Sequence, residues 1–295
     1  MNISQLTKDE LILELEKKIN ENNEISKNLK KTNKNLKESE NFKSNFISNI
    51  TNEIINPFSS ILGLSKNILD TKDNDISKIK NMAKLIYSEA FDLDFQLKNI
   101  FAAAKTESGE IEPEIMNVDI NELILSVLNT FKFKANEKML SIIFNYDNNI
   151  ELKNNSFFKT DSDKLKLILS NLLSNSIKYS NAASKIEIKL WIKNNKLSII
   201  VEDNGIGIDK KNLDLIFDRF KRIDTSINSI NKGHGLGLSV TKALINMLNG
   251  EIKVKSKINV GSTFHVSIPE SEATNIDGIA LDDNEFFFNN DNEIF

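Results

Sequence analysis

Three polar side chains recur at helical spacing in the segment NLLSNSIKYS. Asn171, Asn175 and Lys178 are separated by four and three residues, so they share one face of a helix. An asparagine oxygen is a hard ligand suited to Mg²⁺, which takes few protein ligands and completes its shell with phosphate oxygens and water. Lys178 can meet phosphate charge, and Tyr179 can offer its ring to a base. In so asparagine-rich a chain, this segment alone could equally be an ordinary solvated helix.

A second segment, VEDNGIGI, has the chemistry of base recognition. A strand-like run ends in Asp203, whose carboxylate can accept a hydrogen bond from an adenine amino group. Gly205 and Gly207 follow and would let the backbone approach a base closely. Taken alone, DNGIG could simply be a turn between a strand and a loop.

Two further segments follow in the chain. IFDRFKRID supplies Phe217, Phe220 and Arg222, and KGHGLGLSV places a run of glycines directly before a helix. Free backbone N–H groups at such a helix start can hold phosphates. The pattern matches neither a P-loop nor a dinucleotide fingerprint. The residues of interest in the KGHGLGLSV segment are Gly233, His234, Gly235, Leu236, Gly237 and Leu238.

In order and approximate spacing, the four segments resemble the N, G1, F and G2 boxes of the ATP-binding domain of sensor histidine kinases. The resemblance covers residues 118–269. It implies that Asn175 carries Mg²⁺, that Asp203 reads adenine, and that residues 233–238 close an ATP lid. DNA gyrase, mismatch-repair ATPases and anti-sigma kinases share this superfamily fold, but the F box and an upstream helical hairpin favour a histidine kinase.

The segment FKSNFISNITNEIINPFSSILG resembles the H box of the same family, with one decisive difference. Glu53 and Pro57 match the family pattern, whereas Asn52 stands where the family keeps its phosphorylated histidine. Position 52 falls between Ile50 and Ile54 of an apolar stripe, so we expect it to face outward. Neutral imidazole offers a nitrogen lone pair for attack on a γ-phosphate, whereas the lone pair of an amide is delocalised into its carbonyl. Loss of autophosphorylation is therefore expected, as in a pseudokinase.

The chain offers no replacement histidine in the hairpin. Its two histidines are His234, in the expected lid, and His265, in the last predicted strand. A change from histidine to asparagine needs one nucleotide, so Asn52 could be engineered. However, Ile54 also departs from the arginine common at that place in the family, which favours a naturally degenerate kinase.

Two polar residues of the H box remain. Glu53 and Asn56 are three residues apart and share a helix face. In the family, an acid and a Thr or Asn at this spacing can position the water that dephosphorylates a partner's aspartyl phosphate. The alternative is that both side chains simply solvate the helix.

The H-box-like segment lies within a stretch, residues 1–110, whose pattern predicts helices. Residues 1–41 have a seven-residue apolar repeat interrupted by polar positions, which predicts a coiled coil or, alternatively, a solvated single helix. Residues 42–110 contain two amphipathic stretches, the second from about 76 to 106, with a break at TKDND. An antiparallel hairpin that dimerises into a four-helix bundle would bury both stripes. The repeat residues are Leu11, Leu15, Ile25, Leu29, Leu36, Phe42, Phe46, Ile50, Ile54, Ile61 and Ile68.

After the linker SGEIEPEIMNVD the pattern becomes mixed. Residues 111–269 alternate helical periodicity with β-branched runs, which predicts an α/β sandwich with helices on one face of a mixed sheet. Residues 270–295 hold eight carboxylates and no Lys or Arg, which predicts a disordered acidic tail. The three phenylalanines at 286–288 are a candidate docking motif.

Composition narrows the class of partner. A net charge of −4 and a pI near 5.5 give no reason to expect nucleic acid. No window approaches 18 uninterrupted apolar residues, and charges occupy the place of a signal peptide's apolar region, so we expect neither membrane insertion nor export. The absence of cysteine excludes disulfides and thiolate metal sites and fits the cytoplasm.

These observations predict a homodimeric, ATP- and Mg²⁺-binding histidine-kinase homologue in two-component signalling. Its expected partner is a response regulator receiver domain or another histidine kinase, which it would dephosphorylate or modulate. One alternative keeps the enzyme active, with the ATP domain phosphorylating a histidine of a partner. The other is a scaffold without enzymatic activity whose nucleotide sets its conformation.

Overall fold

The computed structural model describes residues 7–71, 75–109, 112–146, 157–219, 235–272 and 279–280. Two helices open the chain. α1 runs from Lys8 to Leu69 without a break, and α2 runs from Ile76 to Ser108. The short connection between them makes the two helices antiparallel neighbours, and they pack along each other. The predicted hairpin is therefore confirmed, and its first helix is continuous with the predicted coiled-coil segment.

α1 tolerates a proline in its interior. Pro57 lies within the helix and is buried, although proline removes one backbone hydrogen bond. Nearer the start, apolar side chains such as Leu13, Ile25 and Leu29 are exposed in the single chain. Whether a second helix covers them, as in a coiled coil, stays a prediction.

The rest of the described chain forms a mixed α/β domain. Its helices are α3 (Ile120–Glu137), α4 (Ser162–Tyr179) and α5 (Gly237–Met247). Its strands are β1 (Met116–Asp119), β2 (Ser141–Tyr146), β3 (Phe157–Thr160), β4 (Lys185–Ile192), β5 (Lys196–Asp203), β6 (Glu251–Lys257), β7 (Gly261–Pro269) and β8 (Ile279–Ala280).

The main sheet has the strand order β2-β4-β5-β7-β6. β2 and β4 are parallel, and the other neighbours are antiparallel, so the sheet is mixed as predicted. Alternate residues of β5, namely Leu197, Ile199 and Val201, are buried to 1% exposure or less. They join the apolar faces of α3, α4 and α5 in one core. This arrangement confirms the α/β sandwich.

The opposite face of the sheet has a different character. Trp191 of β4 stacks on His265 of β7, with ring centroids 5.5 Å apart. Desolvation, followed by nearby lysines, lowers the pKa of His265. Trp191 thus packs on this face of the sheet, against His265.

A small second sheet was not expected. β1 pairs with β3 and with β8, in the order β3-β1-β8. β1 occupies the end of the segment predicted as an interdomain linker, so that prediction is wrong for residues 116–119. The prediction of a disordered tail is likewise wrong for Ile279 and Ala280, which pair with Asn117 and Val118. Residues 273–278 and 281–295, which include the three phenylalanines, lie outside the described part.

Among the residues described, no helix is both long and apolar enough to cross a membrane.

Candidate nucleotide site

The helix with the asparagine-rich face is anchored at its start by a buried carboxylate. Asp161 precedes α4, and its Oδ1 accepts a hydrogen bond from the backbone N–H of Lys164 at 2.9 Å, an N-terminal cap. Its Oδ2 accepts from the backbone N–H of Glu114 at 2.8 Å and pairs with the Lys164 side chain. One carboxylate therefore fixes both the start of α4 and the segment just before β1.

The three predicted residues on α4 do share a face, but their surroundings differ. Asn171 is 2% exposed, and its Nδ2 donates to Oδ1 of Asn99 on α2 at 2.7 Å. Asn175 and Lys178 are half-buried further along the helix. The Lys178 ammonium lies 4.9 Å from the centre of the Tyr179 ring. The polar face of α4 is thus covered by the hairpin at Asn171 and becomes more exposed toward the carboxyl end of α4.

The predicted base-reading carboxylate lies at the end of β5. Oδ1 of Asp203 accepts from the backbone N–H groups of Gly205 at 3.0 Å and Ser262 at 3.2 Å. Burial raises the pKa of Asp203 to about 6, and the two backbone hydrogen bonds act in the opposite direction. Both hydrogen bonds go to Oδ1, so among the described residues Oδ2 is left to accept from a ligand.

The loop after Asp203 is packed too tightly for any residue but glycine at two positions. A Cβ on Gly205 would stand 2.3 Å from the carbonyl oxygen of Tyr179. Gly207 has φ +68°, and a Cβ there would stand 2.0 Å from the carbonyl oxygen of Lys257. Ile206 donates its N–H to the Tyr179 carbonyl at 3.1 Å, which ties the loop to the end of α4. The first two predicted motifs therefore meet.

The third motif also reaches this region. Phe217 ends a short 3₁₀ turn, packs against the core, and lies under the Lys242 ammonium of α5 at 5.1 Å from its ring centre. Phe220 and Arg222 lie outside the described residues, so their contribution to the site remains a prediction.

The glycine segment enters α5 beside α4. Gly237 is the first residue of α5, and a Cβ on it would stand 3.2 Å from Oδ1 of Asn171. Leu236 is buried, whereas Gly235 and Leu238 are half-buried. In the described part of the chain no side chain caps the start of α5, so its first N–H groups are available to an anion. Gly233 and His234 lie outside the described residues.

Mg²⁺ would fit this site only together with a nucleotide. The described residues contain no group of three or more histidines, cysteines or carboxylates that could hold a metal. The amide oxygen of Asn175 is a suitable single ligand, because Mg²⁺ commonly binds one or two protein groups plus substrate phosphates. The residues present therefore fit Mg²⁺ carried by ATP rather than a resident metal centre.

The hairpin site is only partly described. Asn52 and Glu53 lie within α1, about one turn before Pro57, but their side chains are outside the described part. Asn56 is exposed. The expected outward direction of Asn52 therefore stays a prediction, and solvent does reach Asn56.

Several residues that shape the site carry no signal in the local sequence. Asn99 lies 72 positions before its partner Asn171, and Ser262 lies 59 positions after its partner Asp203. Neither belongs to a recognisable motif. The pairing of β5 with β7 could have indicated Ser262, but only once the strand register was known.

The sequence and the fold can be compared with known proteins. Residues 160–272 match the family model described as histidine kinase-, DNA gyrase B- and HSP90-like ATPase. The chain is 32% identical to the sensor protein RprX of Bacteroides fragilis over 77% of its own length and 43% of the relative's. It is 32% identical to the autoinducer 2 sensor kinase/phosphatase LuxQ of Vibrio vulnificus, over 77% of the chain and 26% of the relative. The chain thus spans less than half of each relative.

Solved structures agree on the fold. The structure of full-length ShkA in complex with AMPPNP aligns with 77% of this chain. The alignment covers 46% of the ShkA chain, with a TM-score of 0.55 and 21% sequence identity. The structure of the histidine kinase ThkA in complex with the response regulator TrrA aligns with 80% of this chain. The alignment covers 64% of the ThkA chain, with a TM-score of 0.51 and 22% sequence identity. The family model and the relatives at 32% identity, together with this fold, show that the chain belongs to the sensor histidine kinase family.

Proposed function

We propose that this protein binds Mg-ATP without phosphorylating itself and acts on a response regulator or on a partner kinase. One observation carries the nucleotide part of the proposal. The loop after Asp203, the asparagine face of α4 and the uncapped start of α5 converge, although they come from separate parts of the chain. The loss of autophosphorylation rests on Asn52, whose amide is not a nucleophile.

Each group has a distinct task in this proposal. Oδ2 of Asp203 accepts the adenine amino group while Oδ1 stays bound to the backbone. Asn175 holds Mg²⁺ against the phosphates, and Lys178 neutralises phosphate charge. The N–H groups at the start of α5 bind phosphate oxygens. The predicted contributions of Phe220, Arg222, Gly233 and His234 are part of the same proposal.

The regulator is the partner that the relatives favour. LuxQ is named a sensor kinase/phosphatase, and ThkA was crystallised with a response regulator. Dephosphorylating an aspartyl phosphate needs an oriented water rather than a nucleophile on the helix. Glu53 and the exposed Asn56 would position this water, so losing histidine at position 52 need not abolish this activity.

Dimerisation through the hairpin is supported by an uncovered apolar stripe. Ile55, Phe58 and Leu62 of α1 are spaced by three and four residues and are 53–57% exposed in the single chain. Such a stripe on one helix face is normally covered by another element. We propose that a second hairpin covers it in a four-helix bundle, with residues 1–41 continuing as a coiled coil and 42–110 as the dimerisation domain.

Two alternative functions predict different results with the same protein. In the first, the ATP domain of residues 111–269 transfers phosphate to a histidine of another kinase. In the second, the chain is a nucleotide-dependent docking scaffold without catalysis. Radioactive label that moves from γ-labelled ATP to a partner's histidine would favour the first. Complex formation with a regulator whose phosphate lifetime is unchanged would favour the second.

A comparison of bases tests the nucleotide part. Calorimetric titration with Mg-ATP and Mg-GTP should show a preference for ATP, because guanine presents an oxygen where adenine presents the amino group that Asp203 accepts. Asp203→Asn should reduce this preference. Equal binding of the two nucleotides, or binding of neither, would contradict the proposed site.

A further inference from the structure

The second hairpin helix presents three polar residues to three parts of the ATP-binding domain. Asp92 pairs with Lys134 of α3, Asn99 binds Asn171 of α4, and Glu107 pairs with Arg219 after the 3₁₀ turn. The spacings of seven and eight residues place the three along one face of α2. This face also carries Phe91 and Phe95, which contact the ring of Phe131 edge-on at 5.4 and 5.8 Å.

The middle contact differs from the two outer ones in burial. The side chains of Asp92 and Glu107 are 43% and 51% exposed, and ion pairs at such positions contribute little. Asn99 and Asn171 are 6% and 2% exposed. A buried amide that loses its partner keeps the full cost of its desolvation. The asparagine pair therefore sets the register between α2 and the ATP-binding domain more strictly than the ion pairs do.

The hydrogen bonds fix which way each amide points. Nδ2 of Asn99 donates to the backbone carbonyl of Phe95 at 3.0 Å, so Oδ1 is its free acceptor. That oxygen accepts from Nδ2 of Asn171 at 2.7 Å. Oδ1 of Asn171 is consequently turned to the other side, where it lies 3.2 Å from the place of a Cβ on Gly237. A line of neighbouring groups thus runs from the α2 backbone through the asparagine pair to the first residue of α5.

We infer that Asn99 is a positioning residue of the nucleotide site, contributed by the hairpin and acting through Asn171. By orienting the Asn171 amide, Asn99 sets the start of α5, where the backbone N–H groups would bind phosphate. Affinity for the phosphate end of a nucleotide then depends on a contact between the two domains. This inference rests on the proposed function, because it assumes that α5 and α4 hold ATP.

The same contact must work in both directions. If docking of the hairpin favours phosphate binding, phosphate binding favours docking of the hairpin by the same factor. Nucleotide binding would thereby strengthen the docking of α2 through one buried amide pair. Asp203 on β5, the proposed partner of the adenine end, takes no part in this line of neighbouring groups.

The test compares two ligands in the 295-residue chain. Asn99→Ala should weaken Mg-ATP binding about 3- to 10-fold in calorimetry, which is the size of one net hydrogen bond, and leave adenosine binding within about twofold. Asn99→Gln keeps both the donor and the acceptor of the amide, so it should retain more of the Mg-ATP affinity than Asn99→Ala does. Asp92→Asn, which breaks an interdomain ion pair without touching Asn171, is the matched control and should bind both ligands like wild type.

Four results would overturn the inference. Unchanged Mg-ATP affinity in Asn99→Ala would remove Asn99 from the site, and an equal loss in Asp92→Asn would indicate general undocking. Equal losses for adenosine and Mg-ATP would indicate a merely structural role. If Asn99→Ala does not fold, Asn99→Leu replaces it with the same expectations. If the wild-type chain binds neither adenosine nor Mg-ATP, the proposed function and this inference are both overturned.

Discussion

The carboxylate of Asp203 accepts a hydrogen bond from the backbone N–H of Ser262 at 3.2 Å, across the pairing of β5 with β7. A second bond from Gly205 reaches the same oxygen. The carboxylate is 6% exposed, and burial raises its pKa to about 6. The fold therefore holds a partly desolvated acid in a fixed direction, with one oxygen left for a ligand.

Asp203→Asn should weaken ATP binding while leaving the fold intact. An asparagine oxygen can still accept from Gly205 and Ser262, which places the amide nitrogen where Oδ2 was. A donor then faces the adenine amino donor, and the lost charge-assisted hydrogen bond costs roughly 1.5–3 kcal/mol of binding free energy. Calorimetry measures the affinity, and circular dichroism checks the fold.

The control for this change is Glu202→Gln. Glu202 neighbours Asp203 but is half-exposed and pairs with Lys189, so its substitution should leave ATP affinity within about twofold. Wild-type affinity in a folded Asp203→Asn variant would remove Asp203 from the site.

Stability without nucleotide should depend on pH through the same residue. Because the folded-state pKa of about 6 is above the ordinary value near 4, the folded chain holds this proton more tightly. Asp203 therefore contributes stability at pH below about 4 and loses that contribution as pH rises through about 6. Relative to wild type, Asp203→Asn should gain in Tm between pH 4 and pH 7. A constant difference in Tm across this range would show that Asp203 does not titrate as described.

Nucleotide binding should show the opposite pH preference. The adenine amino group requires the ionised carboxylate, so adenosine affinity should fall as pH drops through about 6 in wild type. Adenosine avoids the titration of the phosphates themselves. In Asp203→Asn this fall should be absent, and parallel pH profiles of the two proteins would contradict the assignment.

Phe58→Glu should weaken the proposed dimer. Phe58 is 54% exposed in the single chain, and burying a side chain of this size against a partner is worth about 1.5–3 kcal/mol. Because each dimer buries two copies, the dissociation constant should rise at least about 100-fold, as measured by sedimentation. Leu125→Glu changes a similarly exposed residue of α3 and should leave the dimer intact. A monomeric wild type would exclude the four-helix bundle.

The hairpin should still act on a phosphorylated regulator. Groups that position water or act as a general base contribute about 10²–10⁴-fold, so Glu53→Ala and Asn56→Ala should each prolong the lifetime of the aspartyl phosphate clearly. The measurement follows a phosphorylated candidate regulator with wild type and with each variant. If complexes form but the lifetime is the same in all of them, the scaffold alternative is correct.

The alternation of apolar residues made the main sheet predictable from the sequence. The strand-like run that ends in Asp203 became β5, and the last predicted strand, which contains His265, became β7. Both were predictable because one face of each strand is buried. β1, β3 and β8 have only four, four and two residues, too few for a periodic pattern. Their pairing is fixed by contacts distant in the sequence, so the supposed linker and tail were partly misassigned.

The candidate site was predictable where its chemistry is local. Asp203 with Gly205 and Gly207 lies in one short segment, and the structure shows why glycine is needed there. The contact of Asn171 with Asn99 could not be predicted, because asparagine is frequent in this chain and the partners are 72 positions apart. A helical pattern shows which residues share a face, but not which neighbouring element covers that face.

Incubation of the purified chain with γ-labelled Mg-ATP tests the central claim most directly. The amide of Asn52 cannot attack phosphorus, whereas the proposed nucleotide site keeps Asp203, Asn175 and the uncapped start of α5. We therefore expect Mg-ATP to be retained in a binding assay while the chain gains no label. An Asn52→His variant, assayed alongside, separates a missing nucleophile from other defects of the hairpin. Acid-labile, alkali-stable label on the unaltered chain itself would contradict the account.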